Sequence, residues 1–482
     1  MVHKALNMYD VVVVGGGIGG TCAAAMLSSK GKKVLLLEKE PYLGGCSSTF
    51  SHQGFRYNTG ATTFAGFEEG MPVHRFFESL HVTLPLLPLS SAYVQIQKGK
   101  ALPRFEDLEA FLEALERVHP HPQNRAFWEE IWRINRAFYA HQDYVFSKRS
   151  WGDFARSLVS FLPIARAFFP LLLRRGDGYI RAKLPGISSA YKATLDASLR
   201  IVTQTTTHEA SALSTALALG YPFLHNAYVQ GGMGALFDAL EPCITHVRKK
   251  TPVSRIFARS YGFEIHARHE VFHARTLVLN TPVFESARFF EPSPIQEYFA
   301  RFKPLDNDQS AFMVYATFCT DAPLEHHYQI LLDVPLPHTT SEALFASFSD
   351  ASDHHLAPQG HRSMTLSVHT KSSWWKGLPP ALYKTQKAAL VSQILDQVCA
   401  TLGLEKSSVV HHFGATPKTF ARYLGRAQLG GIPMSYTRPF FLNPANDTPF
   451  CGLYMVGDTT FAAQGWPGVI AGVNNLQKLL DA

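Results

Sequence analysis

Two stretches near the start of the chain are apolar at every position: Val11-Val-Val-Val14 and Val34-Leu-Leu-Leu37. Uninterrupted apolar strands are buried on both faces, as in a parallel sheet covered by helices. Between them Cys22-Ala-Ala-Ala-Met-Leu27 predicts a tightly packed helix. Beyond about residue 86 the pattern changes. Glu106–Val118 and Phe127–Tyr139 carry apolar residues at helical spacing, one stripe to each helix. Short alternating runs follow at Thr251–Ala258, Phe263–Ala267, Val271–His273 and Thr276–Leu279, which predict a small β-meander. Ser310–Phe318 and Ser363–Thr370 read as strands, and the stretch near Tyr383–Leu402 as a helix. A last apolar strand, Leu453–Val456, runs into Gly457-Asp458.

The first strand ends in Gly15-Gly-Gly17-Ile18-Gly19-Gly20, and the second ends in Glu38-Lys39. This is the spacing of a dinucleotide-binding turn. Gly15 permits the tight turn, Gly17 lets backbone approach a pyrophosphate, and Gly20 lets the helix close on the sheet. The N–H groups at the helix start face the phosphates, and Glu38 is placed for a ribose hydroxyl. At the other end, Pro467-Gly468-Val469 is expected to open a helix after Gly457-Asp458. Proline suits a first helical turn, whose N–H groups are unpaired anyway. That helix start suits a flavin pyrimidine carbonyl, which gains negative charge on reduction. Asp458 is placed to accept from ribityl hydroxyls.

The predicted class is therefore α/β, with two domains. A Rossmann-like domain with a parallel sheet and β-meander takes residues 1–85, 229–300 and 415–482. A mixed sheet and helical substrate domain takes 86–228 and 301–414. The chain crosses between them several times.

Composition narrows the function classes. The 482 residues are 46% hydrophobic and 17% charged, with a net charge of +7. That excess favours an anionic membrane surface, but no dense basic block argues for nucleic acid. The six cysteines form no CxxC pair, so neither a disulfide framework nor a zinc site is indicated. A reduced, cytoplasmic protein, peripheral on the inner face of a membrane, is the expectation. Leu158–Leu173 is apolar but too short to span and is broken by Pro163, Arg166 and Pro170. It reads as a helical hairpin, either buried or dipping into one leaflet with Arg174 and Arg175 at the headgroups. The pairs His326-His327, His354-His355 and His411-His412 do not suit a metal, because adjacent side chains diverge. His208-Glu209 reads as a satisfied core pair near the substrate tunnel, and Trp374-Trp375 as core or rim. No GxSxG or P-loop is present, which removes hydrolase and kinase readings.

Four motifs together resemble the phytoene desaturase-type flavoproteins of the FAD-dependent amine oxidase superfamily. They are Gly15–Gly20 with Glu38; Gly44-Gly45-Cys46 through Asn58-Thr-Gly60-Ala61; Gln230-Gly-Gly-Met-Gly-Ala235; and Gly457-Asp458 through Ile470. A weaker match is Thr416–Gly425. The resemblance implies non-covalent FAD beneath an apolar tunnel and a long apolar polyene or isoprenoid substrate drawn from a membrane. It implies that Gly15, Gly17, Ile18, Gly19 and Gly20 hold the pyrophosphate and Glu38 and Lys39 the adenosine ribose. Gly45, Cys46, Gly60, Ala61 and Thr62 would lie by the ribityl and isoalloxazine, with Val253 at adenine. Gly457 and Asp458 would meet the ribityl, and Pro467, Gly468 and Val469 would cap the pyrimidine. Many relatives carry Gly-Gly-Arg where this chain has Gly45-Cys46-Ser47. That variant is closer to carotenoid isomerases and retinol saturases, whereas the C-terminal third is closer to desaturases.

Three function classes follow: an oxidoreductase on a carotenoid-like lipid, an isomerase or saturase on a carotenoid, retinoid or fatty acid, or a non-catalytic prenyl-binding protein of the same fold. No catalytic acid or base and no oligomeric state is assigned from the sequence.

Overall fold

The computed structural model describes residues 8–141 and 144–481. The strand pattern near the N-terminus builds a parallel sheet. His246–Arg248, Val34–Leu37, Met8–Val14, Glu270–Leu279 and Leu453–Met455 lie side by side in that order. Alternate side chains of a strand point to opposite faces. Val11, Val13 and Leu36 therefore join one core, with helix Ile18–Ser29 and helix Gly465–Asp481. Val12, Val14, Leu35 and Leu37 join another, beneath the meander. Every residue of the apolar runs is consumed, at about 1.5–3 kcal/mol for each buried valine or leucine.

The meander differs from expectation in one respect. Val271–His273 and Thr276–Leu279 are one strand, Glu270–Leu279. Its first half pairs antiparallel with Gly262–Ala267, and its second half pairs parallel with Leu453–Met455. A strand shared by two partners changes its apolar pattern midway, so it reads as two.

The second sheet runs in the order Val409–Ala415, Gln309–Cys319, His361–Lys371, Ala343–Phe348, His327–Leu331, Ser91–Gln97, Lys100–Phe105. Helix Pro380–Leu402 packs on one face, around Phe312, Leu366 and Trp375. The other face meets helix Ser189–Thr203 through a polar seam. Gln95 Nε2 donates to Gln329 Oε1 at 2.7 Å and to the Thr194 carbonyl at 3.0 Å.

The helical layer follows from its caps and breakers. The helix expected at Glu106–Val118 runs Leu108–Val118, capped by Asp107, which accepts from Ala110 N at 2.8 Å. Such a cap stabilises a helix by about 1 kcal/mol. The predicted hairpin at 158–173 is two helices, Trp151–Ser160 and Leu162–Leu172, bent by 77°. Pro163 sits in the first turn of the second, where its missing N–H costs nothing. Ile164 and Phe168 face inward, while Trp151 is 88% and Phe169 54% exposed. Among the described residues no single helix is long and apolar enough to cross a membrane.

Candidate cofactor and substrate site

The glycine loop has the geometry that the spacing demands. Gly15 adopts φ +99°, and its N–H donates to the Leu37 carbonyl at 2.9 Å. Glu38 is buried and ties the loop from below: Oε2 accepts from Gly16 N at 2.7 Å and Oε1 from Glu40 N at 2.8 Å. Burial pushes its carboxyl up, against the pull of those two backbone N–H groups. Space here is reserved. A Cβ on Gly19 would lie 2.9 Å from Gly457 N, and one on Gly17 would lie 2.9 Å from Asn280 Nδ2. Asn280 went unnoticed in the sequence. It follows strand Glu270–Leu279 and donates to the Gly15 carbonyl at 3.2 Å; its only signal is its place after a parallel strand.

The other predicted segments are stitched to this loop. Gly44 N donates to the Gly16 carbonyl at 2.6 Å, and Ala61 N to the Cys46 carbonyl at 2.9 Å. Thr251 N donates to the Glu38 carbonyl at 2.8 Å, which brings Val253 alongside. The C-terminal helix begins at Gly465, two residues before the expected start, so Pro467 to Val469 form its first turn.

These walls enclose one cavity of about 500 Å³. Gly15, Gly17, Ile18, Gly19, Glu38 and Lys39 line one end. Gly45, Cys46, Gly60, Ala61, Thr62 and Val253 also line it, as do Gly457, Asp458, Pro467, Gly468 and Val469. Gly20 does not. It is buried behind the loop, where a Cβ would come within 2.0 Å of the Gly15 carbonyl oxygen. It sits at the contact of helix and sheet.

Asp458 is not a free acceptor. Arg426 holds it with two hydrogen bonds, 2.9 Å to Oδ1 and 2.7 Å to Oδ2, and Arg426 Nη2 also lies 3.7 Å from Cys46 Sγ. Burial works against the Arg426 charge, and the Asp458 carboxylate outweighs it. Burial pushes the Cys46 thiol up, and Arg426 pulls the other way without prevailing. Nothing in the sequence pairs residues 426 and 458; a basic residue after the helix Pro417–Leu424 is the sole hint.

The cavity continues between the helices. Phe138, Tyr144, Phe161, Ile164, Leu217 and Tyr221 line that arm, and Phe345 and Met434 close it. Among the described lining residues between 138 and 221 there is no Lys, Arg, Asp or Glu.

Other candidates fall away from the cavity. His208 and Glu209 are exposed, not core; His208 lies 3.8 Å from Asp177, and Glu209 accepts from Thr206 N. Thr203, Thr205 and Thr207 point inward there, and only His208 and Glu209 turn to solvent. Trp375 is buried between the second sheet and helix Pro380–Leu402, and Trp374 is at the rim. His326 pairs with Asp350 and His411 with His52. Among the described residues no three His, Cys, Asp or Glu side chains gather as metal ligands.

Comparison with known proteins agrees with this architecture. Residues 13–80 match the NAD(P)-binding Rossmann-like domain. The chain is 26% identical to prolycopene isomerase 2 of an Oncidium hybrid cultivar, over 95% of this chain and 81% of that protein. It is 25% identical to carotenoid 3,4-desaturase of Haloarcula japonica, over 99% of each. An oxidoreductase from Methanosarcina mazei shares the fold with a TM-score of 0.63 at 18% identity, covering 97% of this chain and 99% of that one. Over nearly its whole length the chain is thus similar in sequence to proteins named as carotenoid isomerases and desaturases, the group that its motifs resemble.

Proposed function

We propose that the protein is an FAD-dependent oxidoreductase acting on a long, uncharged polyene or isoprenoid chain. One observation carries this reading: a single cavity joins a dinucleotide cradle to an aromatic, uncharged arm. The residues fit FAD. The Gly15–Gly19 loop lines the cavity with bare backbone, held close against Asn280 and Gly457 where a Cβ at Gly17 or Gly19 would collide, and two helix N-termini border the cavity. FAD would supply a hydride acceptor or donor at its N5 atom. Backbone N–H groups at Gly17 to Gly19 would hold the pyrophosphate, and the free lone pairs of Glu38 the adenosine ribose. Because Arg426 occupies Asp458, the ribityl chain would meet the ion pair rather than a bare carboxylate. The aromatic arm orients the substrate and excludes water, at about 0.8 kcal/mol per buried CH₂.

The bent pair Trp151–Ser160 and Leu162–Leu172 supports uptake from a membrane surface. Trp151, Leu158, Val159, Leu162, Phe169 and Leu173 are all exposed, while Phe161 at the bend and Ile164 line the cavity. A peripheral site on one leaflet fits these facts.

A second reading, isomerisation with the flavin recycled, is favoured by Cys46 and by the relative named prolycopene isomerase. Anaerobic incubation of the FAD-loaded protein with candidate carotenoids, retinoids and fatty acids separates the two. Flavin bleaching with loss of two mass units marks desaturation. A gain marks saturation by the reduced enzyme, and an unchanged mass with a shifted polyene spectrum marks isomerisation. If none of the three classes is changed or bound, the proposal fails.

A further inference from the structure

In the pair His326-His327 the first ring is held by Asp350, and the second has hydrogen-bonding capacity unspent. His327 opens strand His327–Leu331 and faces Ser347 across the antiparallel register. Its ring is 4% exposed, with Nδ1 2.8 Å from Ser347 Oγ. Ser347 Oγ donates in turn to Thr62 Oγ1 at 2.7 Å. A hydroxyl has one proton, and Ser347 spends it on Thr62. The proton between His327 and Ser347 therefore sits on Nδ1. Burial pushes the ring down to about 3, helped by His326, so it is neutral and Nε2 is a bare acceptor.

Among the described residues that buried acceptor has no partner. Beside it lies a second cavity of about 20 Å³, walled by His327, Tyr57, Asn58, Tyr228 and Ser349 and touching Thr62. A polar space of this size holds one water. At the other end of the chain of bonds, Thr62 also lines the main cavity. Its oxygen already accepts from Ser347, and among the described residues it has no other partner. Its own proton is left for whatever occupies the main cavity.

We propose that His327 and Ser347, anchored by a buried water at His327 Nε2, are positioning residues that make the Thr62 hydroxyl a hydrogen-bond donor to an oxygen or ring nitrogen of the bound flavin. The relay runs one way, from water to imidazole to serine to threonine. This rests on the flavin reading of the main cavity. The donor acts on the flavin's electronics, and His327 acts only through the two hydroxyls.

The test uses the FAD-loaded wild type with Thr62→Val, Ser347→Ala, His327→Phe and Thr62→Ser. The visible flavin spectrum and reduction potential are read for each. All but Thr62→Ser are expected to shift the band in one direction and lower the potential. The double variant Ser347→Ala/His327→Phe is expected to shift it no further than Ser347→Ala alone. Thr62→Ser, which keeps the donor, is expected to match wild type. A shift in Thr62→Val without one in Ser347→Ala, or no shift in Thr62→Val, overturns the relay. Where His327→Phe does not fold, ¹⁵N spectra of histidine-labelled wild type and Ser347→Ala decide. A neutral Nδ1–H ring at pH 7 that changes in Ser347→Ala supports the relay, and an Nε2–H or charged ring overturns it. A wild type that binds no flavin defeats the flavin reading instead, and the ¹⁵N result on the flavin-free protein still judges the His327–Ser347 arrangement.

Discussion

Arg426 and Asp458 lie on separate segments, yet two hydrogen bonds of 2.9 and 2.7 Å join them inside the cavity that both line. Their side chains are 10% and 22% exposed, so each depends on the other for compensation. Removing one member of such a pair costs about 3 kcal/mol, because the remaining charge is stranded. Arg426→Met is expected to lower unfolding free energy by about that amount. Arg426→Met with Asp458→Asn is expected to regain more than half. Denaturant titrations of both variants check this, and equal losses would show that the pair is not coupled.

The glycines of the N-terminal loop have different jobs, and alanine tells them apart. At Gly20 a Cβ meets the Gly15 carbonyl oxygen at 2.0 Å, which is backbone and cannot turn aside. Gly20→Ala is expected to destabilise the fold by about 3 kcal/mol. At Gly17 the nearest atom is Asn280 Nδ2, on a side chain that can move. Gly17→Ala is expected to fold normally but lose dinucleotide affinity by about tenfold, or 1.4 kcal/mol. Calorimetry for stability and for FAD binding separates the two effects. Equal loss of stability in both would refute the distinction.

Membrane binding is expected to depend on the outward side of the bent helix pair alone. Trp151→Asp with Phe169→Asp is expected to weaken binding to anionic liposomes with little change in melting temperature. Phe168 lies one position away but is 3% exposed, within 5.8 Å of the Phe138 ring. Phe168→Asp is therefore expected to damage the fold itself. Flotation of wild type and the double variant to equal extents would make the pair ordinary surface.

His327 predicts an acid limb of stability. Its folded pKa is about 3, and the ordinary value is 6.5. Between these the unfolded chain binds the proton and the folded one does not, so stability falls as pH drops from about 6.5 toward 3. His327→Phe is expected to flatten part of that slope. Melting temperatures from pH 7 to pH 4 measure it, and parallel curves for the two proteins would disprove the assignment.

The parallel sheet was legible because it is written in continuous apolar runs, and a strand buried on both faces leaves no other reading. The loop Gly15–Gly20 with Glu38 was legible for a similar reason: close approach of backbone demands glycine at set intervals. Apolar spacing placed helices Leu108–Val118, Asn124–Ala140 and Pro380–Leu402 within a few residues, but it did not register Ser189–Thr203 or Ala212–Gly220, which are buried on most sides and carry no single apolar stripe. Glu270–Leu279 was divided in two because its pairing partner changes partway along, which local periodicity does not register.

What the sequence by itself determined is therefore local: burial pattern, turn chemistry and the dinucleotide spacing, each set by neighbours within some tens of residues. Only the tertiary structure decided the long-range meetings. It brought Arg426 to Asp458, Asn280 to Gly15, and His327 through Ser347 to Thr62. It also turned His208 and Glu209 out of the expected tunnel and Gly20 behind the loop. Hydrogen bonds and ion pairs act over about 3 Å of space whatever the separation along the chain, so residues 32 or 285 positions apart carry no mark of their contact until the sheets and helices have packed.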